Sequence, residues 1–145
     1  MNVKRLIVGL LLCVIASAAV AATPACQPRI EQAWIRAAPP GATVLAAYAT
    51  LKNPCSMAVA LAEVSGIDFG MAMVHTTTVE NGMSRMRTMG SLSIPAKGEV
   101  VLAPGGSHIM LMQPKRELRE GDKVRLSLKL ADGRVVAADF VVRRE

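Results

Sequence analysis

Apolar and polar residues alternate most regularly near the end of the chain, where every second position of residues 123–130 is valine or leucine. A second apolar-rich run, residues 134–142, follows a turn at Ala131, Asp132 and Gly133, so the two runs predict a β-hairpin. Six more short runs of this kind lie upstream between turn signals, at residues 44–51, 58–64, 71–79, 83–87, 99–102 and 107–112. Many short strands separated by turns indicate an all-β sandwich or barrel. Residues 114–120 fit either a helical turn or a loop.

The same alternation predicts which side chains share a face, because residues two positions apart point the same way in a strand. One shared face comprises Met71, Met73 and His75, and another comprises His108, Met110 and Met112. A hairpin across Asn81 and Gly82 would bring Met86 close to His75.

Composition makes this arrangement chemically specific. Both histidines and seven of the nine methionines lie between Met71 and Met112. Thioether sulfur is soft and uncharged and selects copper(I), while neutral imidazole is a common copper ligand. Taken singly, each methionine is better explained as a residue that fills the core. We expect Met57 to be a core residue, and a core role remains an alternative for Met71, Met89 and Met112.

The first 22 residues have the pattern of an export signal: Lys4 and Arg5, an apolar stretch at residues 6–15, and small residues at 20–22. Removal of this signal leaves residues 23–145 as one domain, exported to the periplasm without a membrane span. A retained anchor is an alternative. A lipoprotein linked through Cys26 is disfavoured because residues 23–25 lack the expected leucine.

Charge and cysteine content narrow the functions further. Loss of Lys4 and Arg5 lowers the formal charge from +6 to +4. The remaining basic residues are scattered along the chain and only four aromatic residues are present, which disfavours nucleic-acid binding.

Cys13 lies in the signal, so Cys26 and Cys55 form an even pair in an exported chain and predict a disulfide. A redox pair or a copper-thiolate site is the alternative.

The spacing of four residues resembles a known motif. His75 is followed after ten residues by Met86, after twenty-one more by His108, and after one more by Met110. This resembles the periplasmic copper chaperones of the PCu(A)C type, whose motif is H-(M)-x10-M-x21-H-x-M. The similarity extends to residues 33–36, 47–48, 80–82 and 104–112, and so covers nearly the whole exported domain.

The resemblance implies a cupredoxin-like Greek-key β-sandwich that binds one copper(I) through His75, Met86, His108 and Met110. Thr76 departs from the pattern, since many relatives have methionine there, and Met73 or Met83 could supply an auxiliary donor instead. The chain ends at Glu145 without the His/Met-rich tail of some relatives, so one site is expected.

The resemblance also implies a role. Family members resemble carriers that bring copper to the copper-bearing subunit of cytochrome c oxidase and to other copper-transfer proteins. A copper buffer or resistance protein would use the same ligands without a dedicated recipient. An enzyme is disfavoured because the chain has no Cys-x-x-Cys, no His2Cys set and no further histidine. A scaffold that binds no metal is the remaining alternative.

Overall fold

The computed structural model describes residues 26–145, which form ten β-strands. They are β1 (Arg29–Arg36), β2 (Val44–Lys52), β3 (Val59–Ser65), β4 (Phe69–Glu80), β5 (Met83–Thr88), β6 (Leu92–Ile94), β7 (Glu99–Leu102), β8 (His108–Pro114), β9 (Lys123–Leu130) and β10 (Val135–Arg143). The predicted export signal, with Cys13 and the cleavage site, lies outside the described residues. Within residues 26–145 there is no helix suited to crossing a membrane.

The structure confirms the all-β prediction and all eight predicted strands, whose ends differ from the expected ones by two residues or fewer. The sequence allowed either a helical turn or a loop at residues 114–120. Residues 115–120 belong to neither a strand nor a helix, so this segment is a loop. Strands β1 and β6 were not among the eight. In β1 the pairing with β2 shifts between Glu31 and Trp34, and Gln32 has a positive φ of 50°, so a bulge interrupts the alternation. β6 is only three residues long.

Hydrogen bonds connect the strands in the order β5-β4-β8-β2-β1-β10-β9-β3-β6, and β7 pairs with β2. Buried side chains from both ends of this order form one cluster, so the sheet curls over and its two halves face each other across the core. In β9 the alternating apolar residues all face the core: Val124, Leu126, Leu128 and Leu130 are buried. Each such side chain contributes roughly 1.5–3 kcal/mol of burial free energy.

Strands β7 and β8 pair with consecutive parts of β2. Leu102 of β7 lies opposite Ala49, and Ile109 of β8 lies opposite Ala47, so the residues between them loop out beside Tyr48. The loop closes on itself, since Ala103 N–H donates to Ser107 O at 2.9 Å and Gly106 N–H donates to Ala103 O at 3.1 Å. This loop places His108 at the start of β8.

The connection between β2 and β3 carries the disulfide. Cys55 is bonded to Cys26, which precedes β1, with 5.6 Å between their Cα atoms. Buried Asn53 holds the connection: its side-chain amide donates to Met57 O at 2.9 Å, and its carbonyl oxygen accepts from Cys55 N–H at 3.0 Å. The assignment of Met57 to the core was wrong, because this surface connection leaves its side chain 75% exposed.

Candidate metal centre

Strands β4 and β8 place three pairs of side chains directly opposite each other. We call this set the His/Met ladder; its pairs are His75 with His108, Met73 with Met110, and Met71 with Met112. Directly opposed residues of antiparallel strands share a face, with their Cβ atoms about 4.5–5.5 Å apart. The intervening residues Val74, Ile109 and Leu111 are buried in the core, so the ladder lies on the outer face of the sheet.

The two histidines are close, and one of them is held firmly. The ring centroids of His75 and His108 are 6.0 Å apart. His108 is buried, and its Nδ1 lies 3.1 Å from the carbonyl oxygen of Gly106. A carbonyl can only accept a hydrogen bond, so Nδ1 carries the proton and Nε2 has the free lone pair that a metal requires.

His75 has a different environment. Its Nε2 lies 3.1 Å from the hydroxyl oxygen of Thr88, and its Nδ1 is buried without a hydrogen-bond partner. Burial lowers the pKa of His75 below its ordinary value of 6.5, and the nearby imidazole of His108 acts in the same direction. The imidazole is therefore neutral at physiological pH, which is the state that binds metal.

The hairpin of β4 and β5 adds Met86 to this face. Asn81 and Gly82 have φ values of 53° and 76°, as the two central residues of a type I′ turn require. The resulting register sets Met86 opposite Thr77 and Thr88 opposite His75. Met86 is therefore a diagonal neighbour of His75, within reach of a long side chain.

The register separates the two auxiliary candidates. Met83 lies opposite Glu80, an odd number of positions from Met86, and so points to the other face of the hairpin. Met73 lies on the ladder face, with its sulfur 3.8 Å from the hydroxyl oxygen of Thr88. The structure thus places Met73, and not Met83, beside the two histidines.

Three of the four motif residues line one cavity. Met86, His108 and Met110 border an open space of about 460 Å³, together with Tyr48 and the segment 37–39 that follows β1. His75 is not among the lining residues, but its ring lies next to that of His108. Met86 is 55% exposed, so the site is accessible from solvent.

Thr76 and the three methionines for which a core role was an alternative lie on different faces of the sheet. Thr76, where the sequence departs from the motif, lies on the opposite face from His75 and accepts a hydrogen bond from the Ser107 hydroxyl at 3.1 Å. It thereby ties the loop before His108 to β4. Met89 packs against the core, whereas Met71 and Met112 face outward on the ladder.

Sequence reasoning gave no role to Tyr48 or Thr88. The Tyr48 ring is buried between His108, with centroids 6.4 Å apart, and Trp34, at 4.6 Å. Burial raises the pKa of Tyr48 above its ordinary value, so it stays a neutral wall of the cavity. The sequence feature that could have identified Tyr48 is the alternation in β2. It puts Tyr48 on the same face as Ala46, which lies opposite Met110.

The donor set determines which metal fits. Among residues 26–145 no three His, Cys, Asp or Glu side chains form a group suited to a metal ion. The donors that do converge are two imidazoles and several thioethers, which are mostly soft, and none of them is a carboxylate or a thiolate. This chemistry suits copper(I) and disfavours hard cations such as Mg²⁺ or Ca²⁺.

Comparisons with known proteins agree with this geometry. Residues 29–142 match the family described as "Putative lipoprotein LpqE-like". The chain is 35% identical over 136 residues to "Putative lipoprotein Lxx21020" of Leifsonia xyli subsp. xyli (strain CTCB07), covering 91% of this chain and 81% of that protein.

Solved structures show the same fold. Apo-DR1885 from Deinococcus radiodurans has a TM-score of 0.64 and 32% identity, over 99% of this chain and 97% of its own. The copper(I) form of DR1885 gives a TM-score of 0.65 and 34% identity, over 88% and 84% of the two chains. A copper-bound PCuAC domain from PmoF2 gives a TM-score of 0.69 at 24% identity, over 81% and 93%. The expected cupredoxin-like fold and the resemblance to PCuAC proteins are confirmed.

Proposed function

We propose that this chain, which belongs to the LpqE-like family, binds one copper(I) ion through His75, Met86, His108 and Met110 and carries it to another copper protein. The observation that supports this most directly is the register of β4 and β8, which opposes His75 to His108 and puts Met110 on the same face. Met86 lines the same cavity as His108 and Met110. Met73 is the auxiliary donor of the proposal.

The ligand set explains how the ion would be held. All four side chains are neutral when they bind, so the loaded site keeps the single positive charge of copper(I). The buried Nδ1 of His75 has no hydrogen-bond partner, and His108 presents Nε2 because Gly106 holds the other nitrogen. Methionine also resists disulfide exchange, to which a thiolate ligand in an oxidising compartment is open. Its oxidation to the sulfoxide would still inactivate the site.

Release is the second requirement for a carrier. Met86 sits on β5, an edge strand whose residues are all exposed, while His108 is buried at the start of β8. An incoming ligand can therefore replace Met86 first, with the histidines still attached. Such stepwise exchange avoids a free ion. We assign the protein the role of a carrier, with no catalysis of its own.

The proposed recipient is the copper-bearing subunit of cytochrome c oxidase, during assembly of its copper centre. A recipient site that binds copper about 3 kcal/mol more tightly would receive roughly nine-tenths of an equimolar load. A copper buffer would have the same ligands but no need for contact with a recipient.

We place this activity in the periplasm, with residues 1–22 removed as an export signal and residues 23–145 as the working domain. The disulfide between Cys26 and Cys55 suits an oxidising compartment. Names in this family contain the word lipoprotein. In this chain the Cys26 sulfur is already bonded to Cys55 and cannot also carry a lipid thioether, so we propose a free protein without an anchor.

The test is transfer from the copper-loaded protein to the metal-free soluble domain of the oxidase subunit. Its rate is compared with that from a small copper(I) chelate of matched affinity. A carrier transfers faster than the chelate, and its deletion lowers oxidase activity in copper-poor medium in a way that added copper restores. Transfer no faster than from the chelate, with normal oxidase activity in the deletion strain, favours the buffer.

A further inference from the structure

Two methionines outside the four-ligand motif face each other on the ladder. Met71 of β4 lies directly opposite Met112 of β8, two positions beyond the pair of Met73 and Met110. Met71 is 49% exposed, and Met112 is half-buried. Their neighbours Ala72 and Leu111 point to the core instead. The two thioethers are therefore not used to fill the core.

The cross-strand row that contains this pair is apolar. Met112 lies opposite Val44 of β2, so the row across three strands reads Met71, Met112 and Val44. The row contains no carboxylate, imidazole or amide, which leaves sulfur as its only metal donor. Thioether sulfur without harder donors selects soft monovalent ions.

The distance to the main site is short. Successive pairs of the ladder are two residues apart, or about 6.8 Å along the strands. Methionine has three rotatable side-chain bonds, so the sulfurs of neighbouring pairs can reach a common ion. Met73 and Met110 lie between the histidine pair and the pair of Met71 and Met112, and can contact an ion at either position.

We propose that Met71 and Met112, together with Met73 or Met110, form a second and weaker copper(I) site made only of thioethers, through which the four-ligand site exchanges copper with small ligands in solution, separately from the direct transfer that begins at Met86. This inference rests on the proposed function. The ion stays copper(I) and no electron moves. With Met110 as the shared ligand, the bonds from copper to the two imidazoles and to the Met86 sulfur break as bonds to the Met71 and Met112 sulfurs form.

The first experiment follows the methionine methyl groups by ¹H–¹³C NMR during anaerobic titration of the exported protein with copper(I). The first equivalent should shift the methyl signals of Met86 and Met110, and the second those of Met71 and Met112. Unchanged Met71 and Met112 signals at two equivalents, with the first step intact, overturn the second site alone. Shifts at Met71 and Met112 without any at Met86 overturn the four-ligand site and leave the thioether site standing.

The second experiment uses variants. Met71→Leu with Met112→Leu keeps the apolar volume but removes both sulfurs. Affinity for the second equivalent should fall at least about tenfold, as expected when ligands are lost. Release of the first equivalent to a soluble chelator should become slower at unchanged affinity. Met57→Leu, which removes an exposed thioether in the β2–β3 connection, is the control and should match the unmodified protein. Equal second-step affinity and release rate in the double variant and the control overturn the proposal.

Discussion

The hydroxyl of Thr88 lies 3.1 Å from Nε2 of His75 and 3.8 Å from the sulfur of Met73. Thr88 is the last residue of β5 and lies directly opposite His75. It is therefore positioned to orient the one histidine of the site that has no backbone hydrogen bond. A partner of this kind fixes the ring of a metal-binding histidine and its tautomer.

Thr88→Val should accordingly weaken copper(I) binding roughly 10- to 100-fold, because it removes the hydroxyl and keeps the shape. Thr88→Ser should restore most of the affinity. Competition with a copper(I) chelator measures both. Thr78→Val is the matched control, since Thr78 lies on the other face of the same hairpin and its hydroxyl has no hydrogen-bond partner. Equal losses in the Thr88→Val and Thr78→Val variants would show that the hydroxyl has no specific role.

Replacement of two proposed sulfur ligands gives a more direct test. Met86→Leu with Met110→Leu should lower copper(I) affinity by at least about 10- to 100-fold, the cost typical of losing even an outer partner of a ligand. X-ray absorption of the unmodified protein should show both sulfur and nitrogen neighbours. Met83→Leu should leave the affinity unchanged, because Met83 points to the other face. Nitrogen and oxygen neighbours alone would contradict the ligand set.

The pH dependence of binding follows from the imidazoles. The pKa of His75 is lowered by burial and then by His108, so in the metal-free protein its proton competes with copper only below the ordinary value of 6.5. Copper(I) affinity should be level from mildly alkaline pH to neutrality and fall below about pH 6, with a residual methionine contribution that does not titrate.

The same shift affects stability. A group whose pKa is lower in the folded state stabilises the fold above its unfolded pKa, and that contribution is lost as pH falls through the folded value. The metal-free protein should therefore lose stability in the acid range in which copper affinity also falls. A copper(I) affinity that stays constant into the acid range would show that the histidines are not ligands.

The disulfide should act on stability and not on the metal. It joins residues 29 positions apart and, in the chain-entropy model, contributes roughly 3–4 kcal/mol. Reduction should lower the melting temperature and leave tight copper binding at one ion per chain, because Cys55 follows the end of β2 remote from the half that faces β8. Intact mass of the exported protein should show an oxidised pair and no lipid. Altered copper stoichiometry after reduction would place the cysteines in the site.

The local pattern of the sequence determined the strands and the direction of their side chains. Alternation depends only on backbone geometry within one strand, so it predicted that Met71, Met73 and His75 share a face, and that β9 buries its leucines. The Asn81-Gly82 turn is equally local, because few residues tolerate two successive positive φ values. The alternation did not predict β1, because the bulge at Gln32 interrupts the period of two in that strand.

Tertiary structure decided which strands meet and in which register. Only the packing of β8 between β4 and β2 opposes His75 to His108, residues far apart in the chain, and sets the His108 ring beside Tyr48. A shift of one residue would have turned one set of ligands into the core, and the buried Ile109 and Leu111 prevent that shift. Strand direction is thus a property of each segment, while the site exists because the whole core fixes one register among several that the local pattern allows.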